Sequence, residues 1–241
     1  MTAAPSAWDR AVRRVYRSRL LRPYFRARWQ RGPSPLRVIV AGTPRSGTSF
    51  VAGLVHRMGF RLGPEQWLRP ADQHNRFGYY ECMPLTELSA RVLNKLGGDF
   101  HSLPALPPGW TGGLAAEKRE IVSLVEAGGI ELLKDNQLLV LADLYDELFP
   151  SAKWIFTHRA SEETYRSRFG PAMSQEEWLA VTERRLAIWH ASRPAARALA
   201  LDYADFRADV QEATRRIAAH LGLEAGDAQI AQWAGFFRPR S

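Results

Sequence analysis

The sequence is poor in cysteine and has no long hydrophobic run. Its single cysteine, Cys82, cannot form a disulfide within the chain. No apolar run approaches the roughly 20 residues that a membrane-spanning helix needs, and the N-terminus lacks the apolar core of a secretory signal. These absences predict a cytoplasmic protein without a membrane span.

Metal-ligating patterns are missing as well. The six histidines are scattered, and neither a cluster of His and Cys nor an E-x-x-H spacing occurs. We therefore expect no metal-binding site in the chain. With 46% hydrophobic and 24% charged residues, the composition is that of a folded protein rather than a disordered chain.

The positive charge is concentrated at the N-terminus. Residues 1–33 hold nine arginines and one acidic residue, Asp9, so this segment carries the whole net charge of +8. A pI near 10 spread over a whole domain would suggest nucleic acid. Because the rest of the chain is electrically balanced, we expect no nucleic-acid partner for the main domain.

The arginines of this segment alternate with apolar and aromatic residues. These recur at helical spacing: Trp8, Val12, Val15, Tyr16, Leu20, Tyr24, Phe25 and Trp29. We predict a basic amphipathic N-terminal helix in an arm of residues 1–33, followed by one domain over residues 34–241. The arm can pack on the domain, lie on an anionic membrane surface or contact an acidic partner, and the sequence leaves these three possibilities open.

The main domain alternates strand and helix patterns. Apolar runs predict buried strands at residues 36–41, 130–134, 153–158 and 197–203. Helical patterns cover residues 48–58, 82–96, 114–127, 138–149, 161–169, 175–191, 205–221 and 226–235. The connections are too long for hairpins, so we expect an α/β fold with a mostly parallel central sheet flanked by helices.

The clearest chemical motif follows the first predicted strand. Residues 42–49 read Gly-Thr-Pro-Arg-Ser-Gly-Thr-Ser. A strand, a glycine turn and a helix together direct several backbone N–H groups, and the positive end of the helix, at one anion. A nucleotide kinase would place a lysine directly after the second glycine. Here that position is Thr48, and the positive charge is Arg45, inside the loop.

This loop resembles the first signature of the PAPS-dependent sulfotransferases, a strand followed by x-P-(K/R)-S-G-T-(T/S). The resemblance implies their P-loop-like fold and the donor 3′-phosphoadenosine 5′-phosphosulfate (PAPS), with the bisphosphate PAP as product. It also implies that Arg45 lies against the oxygen that bridges phosphate and sulfuryl group. The loop residues implied in donor binding are Thr43, Pro44, Arg45, Ser46, Gly47, Thr48 and Ser49.

A second signature of the same family has a counterpart downstream. Arg159 ends the third predicted strand, and Ser167 lies eight residues further on. In the family such a pair binds the ribose 3′-phosphate, and either Glu162 or Glu163 fits an acidic position that often falls between them. The family's usual Asn-Pro after the arginine is here replaced by Ala-Ser at residues 160–161.

Two further residues are implied in catalysis. Lys134 ends the second predicted strand, at a position that reaches the active site in many relatives, and strand ends are where open α/β sheets bind ligands. The acceptor also needs a base, for which Glu81 is the first candidate. The alternatives are Glu65, His74 and His101.

Some positions allow two interpretations. Phe50 matches an aromatic residue that packs on adenine in many relatives, but helical spacing favours a core position. Arg238 or Arg240 can reach the 3′-phosphate or belong to a solvated tail. Aromatic residues in the irregular segments can line an acceptor pocket or belong to the core, so the acceptor's identity is left open.

The resemblance implies transfer of a sulfuryl group from PAPS to a hydroxyl or amine of a small-molecule, glycan or lipid-like acceptor, by in-line, metal-independent displacement. Two alternatives belong to other classes. A small-molecule kinase with a P-loop would need ATP and magnesium. A non-catalytic nucleotide- or nucleic-acid-binding module would depend on the basic arm and on salt.

Overall fold

The fold is built on a four-stranded parallel sheet. The computed structural model describes residues 36–73, 75, 78–167 and 173–235. Its strands are β1 (Val38–Gly42), β2 (Leu132–Lys134), β3 (Lys153–His158) and β4 (Leu199–Asp202). They are arranged in the order β2-β1-β3-β4, and every pair is parallel. The predicted α/β class is confirmed.

Helices cover both faces of the sheet. In chain order they are α1 (Thr48–Arg57), α2 (Met83–Lys95), α3 (Ala115–Gly128), α4 (Ala142–Leu148), α5 (Ser161–Arg166), α6 (Gln175–Ala191), α7 (Tyr203–Ala208), α8 (Val210–Leu221) and α9 (Asp227–Ala234). Among the described residues, no helix is long and apolar enough to cross a membrane. The predicted arm of residues 1–33, the tail arginines 238 and 240, and residue 74 lie outside the described residues.

The single helix predicted over residues 205–221 is wrong. The chain forms two helices there, α7 and α8, separated by Asp209, whose backbone is extended at φ −151°. The Asp209 carboxylate accepts hydrogen bonds from the N–H groups of Gln211 at 2.9 Å and Glu212 at 3.0 Å. Such an N-cap stabilises the start of a new helix, so a residue inside the predicted period acts as a boundary.

The hydrophobic core lies in two layers, because successive strand residues face opposite sides of the sheet. Ile39 and Ala41 of β1 pack in the layer that contains α2, α3, α4 and Trp189 of α6. Val38 and Val40 pack in the other layer, with α1, α7 and α8. Both faces of β1 are therefore sealed, and its carboxyl end is held rigidly.

The functional region lies at the carboxyl ends of the parallel strands. The connection after β1 leads to β2 and the connection after β3 leads to β4, so the connections that leave these two neighbouring strands run toward opposite sides of the sheet. Its last residues pair with Lys134 of β2 and Thr157 of β3. Ligands of open α/β sheets bind where the strand order reverses in this way.

Candidate functional site

The loop after β1 is tightly packed against β3. A Cβ atom placed on Gly42 would lie 2.2 Å from Thr157 Oγ1 and 2.6 Å from the Thr157 carbonyl oxygen. Only glycine allows this approach. The Ser46 hydroxyl donates to the Thr43 carbonyl at 2.7 Å and lies 2.8 Å from Thr157 Oγ1. Ser46 thus shapes the loop from inside, since its hydroxyl and its backbone N–H both bond within the fold.

The loop leads into the uncapped start of α1. Gly47 is the N-cap, in the left-handed conformation at φ 96°, and no side chain caps the first turn. The N–H groups of a helix's first turn have no partner within the helix. The Thr43 hydroxyl is buried and has no hydrogen-bond partner in the described structure. These groups form a cradle of donors that suits an anion such as a phosphate group.

Arg45 joins the two sequence signatures. Its backbone has φ 71°, an uncommon conformation for a residue other than glycine. Its Nε donates to the Ser167 carbonyl oxygen at 2.9 Å and to the Ser167 hydroxyl at 3.3 Å. Two motifs separated by 122 residues in sequence therefore meet, and their loops form one site.

The other residue of the second signature, Arg159, is held between a carboxylate and an aromatic ring. Its Nε lies 2.8 Å from Glu163 Oε2, and its guanidinium carbon is 4.4 Å from the centre of the Tyr203 ring. The Tyr203 ring also lies beside Gly47, 3.0 Å from where a Cβ would stand. Tyr203 thus links the phosphate loop to Arg159.

Sequence reasoning missed Tyr203, although a signal was present. Tyr203 directly follows β4, as Arg159 directly follows β3. Residues just beyond the carboxyl ends of neighbouring parallel strands meet at the same edge of the sheet. The rule that favours Lys134 as a site residue therefore also points to Tyr203.

A cavity of about 290 Å³ opens beside this region. It is lined by Arg159, Glu163, Arg166, Ser167 and Arg207. Arg166 and Arg207 were also missed from the sequence. A hydrogen bond from Arg159 and the nearby charges of Arg207 and Arg166 lower the pKa of the Glu163 carboxyl below its ordinary value. The cavity is thus strongly polar and contains more positive than negative charge.

Glu81 and Lys134 form a buried ion pair. Lys134 Nζ lies 2.5 Å from Glu81 Oε1, and both residues are nearly inaccessible to solvent. The half-exposed Arg69 lies 3.2 Å from Glu81 Oε2 and covers the other side of the carboxylate. Burial alone would raise the pKa of Glu81, but the charges and hydrogen bonds of Lys134 and Arg69 outweigh it and lower the pKa. Glu81 is therefore ionised, and Lys134 and Arg69 weaken it as a base.

Asp135, next to Lys134, is a second buried acid near this pair. Its Oδ1 accepts a hydrogen bond from the Gln137 N–H at 3.0 Å, whereas Oδ2 has no hydrogen-bond partner in the described structure. Burial, helped by the nearby charge of Glu81, raises its pKa to about 7. The sequence singled out Lys134 and gave no sign of this acid's unusual environment.

This raised pKa predicts a pH-dependent stability. An acid whose folded-state pKa lies above its unfolded value stabilises the fold fully below pH 4 and loses that contribution as pH rises through about 7. Asparagine cannot ionise, so Asp135→Asn should not lose stability in this way as the pH rises. At pH 8 the variant should therefore be more stable than the wild type, by up to about 4 kcal/mol. Denaturant unfolding at pH 5 and pH 8 measures the difference.

The matched control for this prediction is Asp227→Asn. Asp227 has a side chain that is 89% exposed, so its replacement should leave the pH profile of stability unchanged. If the stability difference between wild type and Asp135→Asn were the same at both pH values, the raised pKa of Asp135 would be contradicted.

The alternative bases Glu65 and His101, and the aromatic residue Phe50, lie away from this buried ion pair in the sequence and have other surroundings. Glu65 is exposed at the start of a one-turn 3-10 helix, Glu65–Trp67. His101 is exposed, with its Nδ1 3.2 Å from the sulfur of Met173. Phe50 packs edge-on against Phe206 at 5.1 Å between ring centres, next to the core layer of α1 and α7. Of the two interpretations of Phe50, core packing is the one that these contacts favour.

The described residues offer no obvious metal site. Within residues 36–73, 75, 78–167 and 173–235, no group of three or more His, Cys, Asp or Glu side chains could hold a metal ion. Positive charge at the site comes from side chains of the chain itself. Arg45 and Lys134 lie on the loop after β1 and at the end of β2, respectively.

Comparison with known proteins gives one family and a set of similar folds. The model described as "Sulfotransferase family" matches residues 35–227. Sulfotransferase STF1 from Mycobacterium tuberculosis H37Rv is similar at a TM-score of 0.56 and 16% identity, over 94% of this chain and 79% of that one. Sulfotransferase STF9 from Mycobacterium avium is similar at 0.54 and 16%, over 95% and 76%. A search of curated proteins found no match.

Proposed function

Because the chain belongs to the sulfotransferase family, we propose that it transfers a sulfuryl group from PAPS to a hydroxyl or amine of a small-molecule, glycan or lipid-like acceptor. The observation that carries this proposal is the contact between Arg45 and Ser167. It brings the loop suited to a phosphate next to a second basic site. A donor with phosphate at both the 5′ and 3′ positions needs two such sites, whereas ATP needs one.

The site residues fit the two ends of this donor. The N–H groups at the start of α1 and the buried, unpartnered Thr43 hydroxyl supply donors for the 5′ end. Arg159 and Ser167 border the cavity beside the loop, where we place the 3′-phosphate. The Tyr203 ring, between Arg159 and Gly47, limits the space between these two ends.

Arg45 and Lys134 supply the positive charge that the displacement requires. Sulfuryl transfer, like phosphoryl transfer, depends on in-line positioning and on stabilising the charge that develops on the leaving group. We assign that stabilisation to Arg45. Fixed donors aimed at developing charge are worth about two to three powers of ten in rate. With these cations in place, we propose a metal-independent reaction.

Glu81 is the base that we assign to the acceptor. It is ionised, so it can take a proton from a hydroxyl or amine. Its Oε1 is held by Lys134, which fixes the direction of Oε2. Oε2 faces the half-exposed Arg69, so an acceptor can reach Glu81 once this side chain moves aside.

A turnover assay distinguishes this function from that of a kinase. The purified protein is incubated with PAPS, EDTA and, in turn, a phenol, a long-chain alcohol and a simple sugar, and PAP release is followed. Acceptor-dependent PAP release in EDTA supports the proposal. ADP formation from ATP that requires magnesium, without PAP release from PAPS, would favour the kinase.

The location and the role of the arm are separate proposals. We propose a cytoplasmic location and a contact of residues 1–33 with an anionic membrane surface or an acidic partner, motivated by nine arginines among aromatic residues. Sedimentation with anionic vesicles, with and without these residues, measures the membrane contact. Equal sedimentation of both forms would rule it out.

A further inference from the structure

The cavity beside Arg159 has a charge suited to one particular group. Its lining includes three guanidinium groups, Arg159, Arg166 and Arg207, and one carboxylate, Glu163, which leaves a net charge of +2. A phosphomonoester carries nearly two negative charges near neutral pH. The volume of about 290 Å³ is at the lower end of ligand pockets and suits a phosphate with part of its sugar.

Within this cavity, Glu163 already occupies the place of an anion. Its Oε2 lies 2.8 Å from Arg159 Nε, and its side chain is 45% exposed while that of Arg159 is 20% exposed. Charge-assisted contacts of a guanidinium with an anion are directional. An anion that binds Arg159 Nε must therefore take the place of the Glu163 carboxylate, which can turn toward solvent.

Arg166 and Arg207 are available to such an anion. Arg166 ends α5, after β3, and Arg207 lies on α7, after β4. Both are exposed, and neither makes a hydrogen bond or ion pair to a residue in the described part of the chain. The cavity thus collects cations from two strand ends, and within the described residues two of these cations make no hydrogen bond or ion pair.

We propose that Glu163 is an internal counter-ion of Arg159, and that the 3′-phosphate of the donor displaces it and is held by Arg159, Arg166 and Arg207. This inference rests on the proposed function. In the ligand-free site, Glu163 thus neutralises part of the positive charge of the arginines. A nucleotide without a 3′-phosphate leaves the Glu163–Arg159 pair in place, so the site selects bisphosphorylated nucleotides.

Calorimetric titration with PAP and with ADP, which lacks the 3′-phosphate, tests this inference. Arg207→Ala should weaken PAP binding about tenfold and leave ADP binding unchanged, because one charge-assisted contact is lost. Glu163→Gln should tighten PAP binding several-fold, since displacement no longer separates an ion pair, and should also leave ADP binding unchanged. Unchanged ADP binding shows that each variant is folded.

Two controls use charged side chains outside the cavity lining. Glu162→Gln removes the adjacent acid, and Arg215→Ala removes an arginine paired with Glu212 and Asp227. Both should bind PAP like the wild type. Equal effects of the cavity variants and their controls would overturn the inference, because general surface charge would then explain the change.

The outcomes separate the inference from the proposed function. If the wild type binds ATP with magnesium but not PAP, the proposed function fails and the inference falls with it. If the wild type binds PAP while Arg207→Ala and Glu163→Gln bind it equally well, only the inference fails. Weaker PAP binding by Glu163→Gln would also overturn it, since Glu163 would then support Arg159 rather than compete for it.

Discussion

Arg45→Ala is expected to lower the turnover number about a hundredfold or more, because the variant loses the cation assigned to the leaving group. The fold should persist. Arg45 has φ 71°, and alanine meets the same backbone restriction there as arginine, so the strain of the loop does not change. Initial rates at saturating PAPS measure the effect, and thermal unfolding reports the fold.

Arg45→Lys is the control for this prediction. Lysine keeps the positive charge but has no N–H group at the position of the Arg45 Nε, which donates to both the carbonyl oxygen and the hydroxyl of Ser167. Its turnover should fall much less than that of Arg45→Ala. Near-normal turnover in Arg45→Ala would remove Arg45 from the mechanism.

Glu81→Gln is expected to lower turnover by a similar factor, since glutamine cannot accept the acceptor's proton. This change also leaves the Lys134 ammonium without its partner in a site that is 2% exposed. Breaking a buried pair in this way costs about 3–5 kcal/mol of stability. The rates must therefore be measured below the unfolding temperature of the variant.

Lys134→Met supplies a measurement that a purely structural role of Glu81 would not affect. Lys134 lowers the pKa of Glu81 against the opposing effect of burial. Without Lys134 this pKa should rise, so the acidic limb of the kcat/KM profile should move to higher pH. An unmoved limb, or near-normal turnover in Glu81→Gln, would exclude Glu81 as the base.

The backbone of the site could be predicted because its signals are local. The strand that ends at Gly42 and the strand before Arg159 are short apolar runs, and both occur as predicted within two residues. The glycines at positions 42 and 47 predict the turn between strand and helix. Arg45, Lys134 and Arg159 each follow or end a predicted strand, and the parallel sheet has all three of these strands side by side.

The side-chain environment could not be predicted, because it depends on contacts between distant segments. Arg69 reaches Glu81 across an irregular segment, and the ring of Tyr203 reaches Gly47 from the end of β4. Asp135 looks like an ordinary polar residue after a strand, yet packing buries it almost completely. No spacing rule in the sequence encodes such desolvation, since it arises from what packs above the residue.

The break at Asp209 shows a different limit. The apolar pattern runs through residues 205–221 without interruption, and Ala213, Ile217 and Leu221 are buried as a helix would require. An aspartate inside a helical pattern also serves as an N-cap when its carboxylate accepts from the next turn. The periodicity of the apolar residues therefore identifies the buried face of these helices. The boundary between α7 and α8 depends instead on whether Asp209 continues a helix or caps the next one.

Ligand-dependent thermal unfolding tests the central claim, a site with two phosphate positions for PAPS, most directly. The protein is heated with PAP in EDTA and, separately, with ATP and magnesium. The account predicts that PAP raises the unfolding temperature without a metal, because a ligand that binds only the folded state stabilises it. A rise with ATP and magnesium alone, and none with PAP, would contradict it.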